Sequence, residues 1–404
     1  MINIAVLGYG TIGSGVVEVL KTNGDSIQKR AGDRINIKYV LDIREFPGDP
    51  IMEILVHDYN VILNDPEVKI VIEVMGGIEP AYTYVKQALL NGKSVVTSNK
   101  ELVAKHGAEL IDIAKERELN FLFEASVGGG IPIIRPLNQS LTADEIVEIT
   151  GILNGTTNYI LTKMSEEGIS FEEALKNAQA LGYAERNPSA DVDGYDACRK
   201  IAILSSLAYG MQVDFEDIYT EGISGITDID IKYAQKLDAR IKLFATSIRE
   251  DEKEVYAMVA PMMIRSNHPL YSVGDVFNGI YVRGNVIGDV MFYGSGAGKL
   301  PTASAVVADI VDAAKHLNKN IWTIWSSKKL ELMDIDSVKH RFFVRIDKKK
   351  ALLDDMRRIF GDITEVPEVV ENEVAFITPL ITEKEMKDKM EHIPGLLSRI
   401  RVRF

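Results

Sequence analysis

The chain opens Ile2-Asn3-Ile4-Ala5-Val6-Leu7-Gly8-Tyr9-Gly10-Thr11-Ile12-Gly13. A short apolar run, a Gly-x-Gly-x-x-Gly and a helical pattern reaching Asn23-Gly24 read as strand, tight turn and helix. The glycine spacing alone is a weak signal; the strand before it and the helix after it give it meaning. Gly8 permits the turn, Gly10 lets a pyrophosphate approach the backbone, and Gly13 lets helix and strand pack closely. Thr11 and Ile12 belong to the same loop. Apolar runs recur at residues 35–41, 70–75, 94–97 and 121–123, with helical periods at 80–91 and 101–117. This alternation predicts an α/β, Rossmann-type doubly wound parallel sheet over residues 1–130.

The second strand ends at Leu41-Asp42-Ile43-Arg44. A carboxylate there bonds the ribose 2′-hydroxyl of NAD, whereas an arginine accommodates the 2′-phosphate of NADP. Asp42 lies farther past Gly8 than the usual spacing of about 20 residues. Arg44 can make a charge-assisted bond to phosphate, so the expectation is NADP with NAD usable. Ligands in such sheets sit at the carboxyl ends of strands. Gly76, Thr97, Ser98 and Lys100 follow two later strands and join the expected cofactor set.

The densest chemistry lies in Gly182-Tyr183-Ala184-Glu185-Arg186-Asn187-Pro188-Ser189-Ala190-Asp191-Val192-Asp193-Gly194-Tyr195-Asp196-Ala197-Cys198-Arg199-Lys200. Pro188 and Gly194 make its first part a loop, and a helix follows. Asp196 and Lys200, four apart, share a face of that helix. Because Ile201-Ala202-Ile203-Leu204 comes next, the charged face enters or borders a core. Buried charges are costly unless paired, and a lysine held there suits proton transfer. A solvated acidic loop with a simple ion pair accounts for the segment equally well.

Two upstream motifs accompany it: Glu124-Ala125-Ser126-Val127-Gly128-Gly129-Gly130-Ile131-Pro132 and Gly151-Ile152-Leu153-Asn154-Gly155-Thr156-Thr157-Asn158-Tyr159-Ile160. With the acid–lysine segment, in this order, they resemble the homoserine dehydrogenase family over most of residues 1–310. The resemblance implies NAD(P)H-dependent reduction of L-aspartate 4-semialdehyde to L-homoserine, a step of threonine and methionine biosynthesis. It implies a structural monovalent cation, sodium, on the Glu124 side chain and the carbonyls of Val127, Gly129 and Ile131; a domain hinge is the other reading of that loop. Residues 131–300 then form a substrate-binding and oligomerising α+β domain. A glycine loop at Gly296, at a helix amino end suited to an anionic or cofactor group, joins the expected cofactor set, and the resemblance implies that its helix returns to the nucleotide domain over residues 300–330. A homodimer or homotetramer is implied.

The chemistry asked of such a site is hydride delivery to an aldehyde, with charge growing on oxygen and then a proton transferred. Lys100 and Lys200, meeting at the domain cleft, are the expected catalytic groups, with Asp196 orienting Lys200. Glu185 and Asp191 are expected to hold the substrate ammonium, and Asn154, Gly155, Thr156 and Thr157 its carboxylate. A thioester mechanism needs a nucleophilic cysteine, and Cys198, about 200° around the helix from Asp196 and Lys200, faces away. A nucleotide-sensing regulator without catalysis is the alternative from another class.

The strand and helix patterns of residues 341–404 follow the order βαββαβ and resemble an ACT-type domain. Where such domains carry Asp-x-Pro-Gly, this chain has Asp347-Lys348-Lys349-Lys350. Without the glycine, backbone approach by a ligand is harder, so the expectation is weak or no inhibition by threonine and a role in assembly.

Composition excludes several classes. The chain has 404 residues, and its 46 Lys+Arg against 59 Asp+Glu leave a net charge of −13, which argues against nucleic-acid and anionic-membrane partners. A single cysteine rules out an intrachain disulfide. The six histidines show no ligand spacing, so no transition-metal site is expected. With no basic n-region and no apolar run of about 18 residues, the expected location is the cytoplasm.

Overall fold

In the computed structural model, which describes residues 1–251 and 254–404, the opening run is strand β1 (Ile2–Leu7), paired in parallel on both sides. The chain continues through α1 (Thr11–Thr22), α2 (Gly24–Ala31), β2 (Ile35–Leu41), β3 (Leu55–Val56), α3 (Tyr59–Leu63), β4 (Val68–Glu73), α4 (Ala81–Leu90), β5 (Ser94–Thr97), α5 (Lys100–Glu116) and β6 (Phe121–Leu122). Then come β7 (Ile146–Ile152), α6 (Gly155–Glu167), α7 (Phe171–Ala180), α8 (Ser189–Val192), α9 (Tyr195–Tyr209), β8 (Met211–Gln212), β9 (Tyr219–Thr220) and α10 (Asp228–Lys236). After these follow β10 (Ala239–Asp251), β11 (Glu254–Arg265), β12 (Phe277–Gly284), β13 (Gly288–Ser295), α11 (Lys299–Lys315) and β14 (Ser326–Lys329). The C-terminal stretch adds β15 (Lys339–Asp347), α12 (Leu353–Phe360), β16 (Thr364–Val366), β17 (Glu373–Ile377), β18 (Ile381–Thr382), α13 (Glu383–Met390) and β19 (Leu396–Arg403).

Two compact units result. One comprises Met1–Glu145, Ala202–Asp214 and Phe292–Leu330; the other Ile146–Ile201, Phe215–Met291 and Glu331–Phe404. The first unit holds a parallel sheet in the order β3-β2-β1-β4-β5-β6, the order of a doubly wound dinucleotide-binding fold. Its central strands are buried on both faces, so they read as continuous apolar runs. Helix α11 packs on α1: a Cβ on Gly15 would lie 2.9 Å from Lys299 O and 3.0 Å from Ala303 Cβ. Val16, Ala303, Val306 and Ile310 share that unit's core with the strands of the sheet.

The second unit is built on a mixed, 11-stranded sheet whose main path is β13-β12-β7-β10-β11-β19-β15-β17-β16. The C-terminal stretch has the βαββαβ order expected, with short β18 added. Its last strand pairs in parallel with β11, Met262 opposite Arg401, so residues 341–404 continue the sheet of residues 146–291.

Several boundaries differ from the sequence reading. Strand β10 was not anticipated, because residues 228–249 carry neither glycine nor proline to end α10; Asp238, at φ 53°, makes the break. The pattern of residues 281–286 reads as a strand, but β12 stops at Gly284, before a turn. That of residues 365–370 also reads as a strand, but β16 stops before Pro367, which cannot donate to a ladder.

Lys242 of β10 is buried without a carboxylate in bonding range among the described residues, and its Nζ donates to Asn158 Oδ1 (3.0 Å) and Val273 O (2.6 Å). Burial, helped by the charge of Arg240, pushes its pKa down to about 7. Between that value and the unfolded value near 10.4 the unfolded chain binds more protons, so this group makes stability rise with pH there and penalises folding fully below it. Lys242→Met should therefore flatten the rise of unfolding free energy between about pH 7 and pH 10, measured by denaturant titration. An unchanged slope would show that Lys242 is not titrating in the fold.

Candidate functional site

The parallel register sets one end of the first unit's sheet. Leu7 stands opposite both Leu41 and Glu73, so the glycine turn, Asp42 and residues 74–77 emerge at the same edge, where the strand order reverses. Gly13 meets the turn so closely that a Cβ would fall 1.9 Å from Gly8 O, while a Cβ on Gly10 would meet nothing within 4 Å. A cavity of about 370 Å³ opens here, lined by Gly8, Gly10, Asp42, Arg44, His57 and Tyr84 among others. The close-packed Gly13 and the open Gly10 are what a pyrophosphate-binding turn requires, and the cavity suits the adenosine end of a nicotinamide dinucleotide.

Asp42 does more than the sequence reading assigned it. It is buried, accepts the Tyr9 N–H of the glycine turn (2.8 Å), and takes Arg44 Nε and NH2, each at 2.9 Å. The bonds from Arg44 hold its carboxyl well below the usual range against the opposing effect of burial. Helix α2, an insertion between α1 and β2, accounts for the long spacing from Gly8. Arg44 is at the expected place, half exposed, but its guanidinium is committed to Asp42.

At the neighbouring strand ends, Glu73 is the organiser. Fully buried, it accepts Thr97 Oγ1 (2.6 Å) and Met75 N–H (2.8 Å), with Gly76 N–H at 3.4 Å; burial pushes its carboxyl up. Thr97 is buried with its hydroxyl spent on Glu73, so that hydroxyl braces the loop. Asn99 caps α5 through Leu102 N–H (3.1 Å) and donates to Gly77 O (2.5 Å), joining the two loops. Ser98 N–H donates to Glu73 O (3.3 Å). Lys100 is the first residue of α5. A cation in a first turn opposes the helix dipole, so folding alone does not select it.

Glu124 is buried, and its carboxylate accepts the N–H groups of Ile133 (2.6 Å), Ile134 (2.8 Å) and Arg135 (2.7 Å). Asp309 of α11 accepts Glu124 N–H and pairs with Arg135 (2.6 Å). In the Gly-Gly-Gly loop, Gly129 has φ 57°, and a Cβ there would lie 2.2 Å from Gly296 O. Gly130 N–H bonds Ser295 O (3.0 Å). The glycine loops of Gly129 and Gly296 are thus packed backbone to backbone. The described residues include no cluster of three or more His, Cys, Asp or Glu side chains suited to a metal.

In the second unit, the acid–lysine segment is ordered around Asn154. Its Oδ1 caps α6 through Thr157 N–H (2.8 Å), while Nδ2 donates to Asp191 Oδ1 (2.7 Å) and Asp196 Oδ2 (2.9 Å). Lys200 Nζ, on α9, donates to Asp196 Oδ2 (2.7 Å) and Leu153 O (2.8 Å). Asp196 and Lys200 are both buried, so the solvated-loop reading does not hold for the helix. Thr156 Oγ1 donates to Tyr183 O (2.6 Å), and Thr157 Oγ1 bonds Asn154 O (3.1 Å). Those hydroxyls serve the fold; what they leave for a ligand is the N-terminal backbone of α6 at Gly155 and Thr156. Glu185 is exposed. Cys198 is buried with Sγ on Phe215 O (3.2 Å), and burial pushes its thiol up, away from the thiolate that a nucleophile needs.

Sequence profiles described as "Homoserine dehydrogenase, NAD binding domain" and "Homoserine dehydrogenase" match residues 8–124 and 132–311. A homoserine dehydrogenase of Synechocystis is 47% identical over 317 residues, 77% of this chain and 73% of its own. The structure of a homoserine dehydrogenase from Thiobacillus denitrificans superposes with a TM-score of 0.91 at 36% identity, covering 100% of this chain and 98% of that one. The chain belongs to the homoserine dehydrogenase family. It is an NAD(P)-dependent oxidoreductase acting on a CH–OH group, interconverting aspartate semialdehyde and homoserine. A hyperthermophilic archaeal homoserine dehydrogenase in complex with NADPH is also similar, with a TM-score of 0.66 and 30% identity over 77% of this chain and 97% of that one. Among the described residues no helix is long and apolar enough to cross a membrane.

Sequence reasoning missed Glu73, Asn99, Arg135 and Asp309. For Glu73 a signal existed: a carboxylate ends an otherwise apolar central strand, where it is costly unless bonded. The partners of Asp309 come from more than 170 residues away, beyond any local pattern.

Asn154 carries two separable tasks. Asn154→Ala should lose about 1 kcal/mol of stability with the cap and lower turnover, since two carboxylates lose their shared donor. Asn154→Ser should recover the thermal midpoint but not the turnover. Recovery of both by serine would show that the bridge to Asp191 and Asp196 does not matter.

Proposed function

We propose that the family reaction runs on the Asn154–Asp191–Asp196–Lys200 array, with NADPH the preferred reductant and NADH usable. The observation that carries this reading is a buried lysine bonded to Asp196 and to Leu153 O. A buried ammonium paired with a carboxylate is the kind of group that proton transfer uses. A reduced nicotinamide, bound at the glycine turn and the ends of β4 and β5, supplies the hydride.

Lys200 gives its proton to the aldehyde oxygen as negative charge builds there, and in reverse takes the hydroxyl proton of homoserine. Asp196 orients it. Lys100 stabilises the developing charge. Asp191 receives the substrate ammonium, with exposed Glu185 closing on it from the preceding loop, and the first-turn N–H groups of α6 at Gly155 and Thr156 receive its carboxylate. Arg44 reads the 2′-phosphate by turning from Asp42, which its half-exposed position allows.

A monovalent cation, sodium by resemblance, is proposed at Glu124 and the carbonyls of Val127, Gly129 and Ile131, in a structural role. Glu124 Oε2, bonded by Arg135 N–H alone among the described residues, keeps acceptor capacity for it. The assembly is proposed to be a homodimer or homotetramer, since the β12–β13 hairpin exposes Val286, Ile287 and Met291. The proposed location is the cytoplasm.

Purified protein should oxidise NADPH with aspartate semialdehyde and reduce NADP with homoserine at high pH. No turnover with either nicotinamide would return the chain to the regulator reading. Lys200→Ala and Lys100→Ala should each lower turnover about 100-fold or more, and near wild-type rates would break the assignment.

Arg44→Ala should weaken NADPH by about 1.5–3 kcal/mol and NADH little. Equal loss for both would show that Arg44 acts by bracing Asp42.

A further inference from the structure

Residues 221–226 form a loop held at two places. Glu221 N–H donates to Val259 O of β11 (2.8 Å), and Ile223 N–H donates to Val192 O at the end of α8 (2.8 Å). Gly222 presses on that helix end: a Cβ there would lie 2.2 Å from Val192 O and 2.5 Å from Asp193 Cα. Helix α8 also carries Asp191, whose Oδ1 is bound to Asn154.

The Glu221 side chain points the other way, to the end of the chain. Its Oε2 accepts Arg401 NH1 (2.7 Å), Tyr219 OH (2.9 Å) and Arg399 NH2 (3.1 Å). Both arginines lie on β19. Arg401 is wholly buried, and its other donors go to Glu383, Nε at 2.5 Å and NH2 at 2.9 Å. Burial pushes the Glu221 carboxyl up, and the charges of Arg401 and Arg399 outweigh it, leaving it below the usual range. Beside this junction lies a cavity of about 290 Å³, bordered by Asp193, Glu221, Ser224, Ile226, Ser398 and Arg399. Buried Ile223 and Ile226 anchor the rest of the loop, while the ion pairs fix its Glu221 end.

We propose that Glu221 is a positioning residue for Asp191: β19 grips Glu221 through Arg399 and Arg401, and the loop transmits that grip to α8 and its carboxylate. The last strand of the chain is then part of the scaffold of the substrate's ammonium subsite. This rests on Asp191 receiving the ammonium, as proposed above. Because no contact with substrate is involved, the effect falls on how well homoserine is held and not on the chemical step.

The test is steady-state kinetics of homoserine oxidation by the full chain, comparing Glu221→Gln, Gly222→Ala and Arg399→Gln with Asp191→Ala. Glu221→Gln and Gly222→Ala should raise KM for homoserine about tenfold or more. Turnover and the KM for the cofactor should stay within about twofold, and Glu221→Asp should restore part of the loss. Arg399→Gln, at the solvent side of the cluster, should shift KM in the same direction by less, and it keeps the test open if the buried changes cost the fold. An unchanged homoserine KM in every folded variant, with Asp191→Ala raising it, overturns the inference and leaves the site reading standing. Equal losses in turnover and in cofactor KM also overturn it, since they mark a general loss of structure. An unchanged KM in Asp191→Ala sinks the site reading, and this inference with it.

Discussion

Lys200 and Asp196 sit on a helix whose next turn is wholly apolar, and neither can be left alone there. Charges taken out of water are tolerated only when their partners are complete. The ammonium needs Asp196 and Leu153 O, and Asp196 needs Asn154. Asn154 must then stand where it also caps α6 and reaches Asp191. One desolvated pair thus dictates where α6, α8 and α9 meet. The proton transfer proposed for Lys200 and the local folding make the same demand, which is why the acid–lysine segment looks overdetermined.

Burial of charge organises the C-terminal stretch as well. Arg345 and Arg401 are both almost fully buried. Arg345 is matched by Asp230 (3.2 Å) and Glu373 (2.8 Å), Arg401 by Glu383 and Glu221. Each links a C-terminal strand to a loop or helix of the same unit, and removing one partner would strand the other. Together with the β11–β19 ladder, these pairs make residues 341–404 continuous with residues 146–291 of the unit. The sequence pattern suggested a self-contained βαββαβ module because its elements are locally complete. Nothing local reveals that Arg401 completes a cluster around a residue 180 positions earlier.

Much of the site was legible in the chain itself. The strand–glycine–helix opening, the acid–lysine spacing and the Asn-Gly-Thr-Thr turn lie within short windows, where period and capping chemistry report the backbone directly. What the chain did not show was the direction a side chain takes. The hydroxyl of Thr97 is bonded to Glu73, and those of Thr156 and Thr157 are bonded to Tyr183 O and Asn154 O, directions that no local pattern reveals. Arg44 bonds Asp42 two residues before it, and Asp42 in turn takes the Tyr9 N–H of a turn more than thirty residues away.

By itself the sequence determined the parallel sheet of the first unit, the shared face of Asp196 and Lys200, and the opposite face taken by Cys198. These follow from periodicity, from glycine's freedom from a side chain, and from helical spacing, all of which act over a few residues. Tertiary structure alone decided that Glu73 and Asp309 are buried organisers, that β10 breaks from α10 at Asp238, and that the last strand is built into the sheet behind the substrate segment. Those outcomes depend on which distant groups satisfy a buried charge or an open strand edge. That choice is made only when the whole chain is packed.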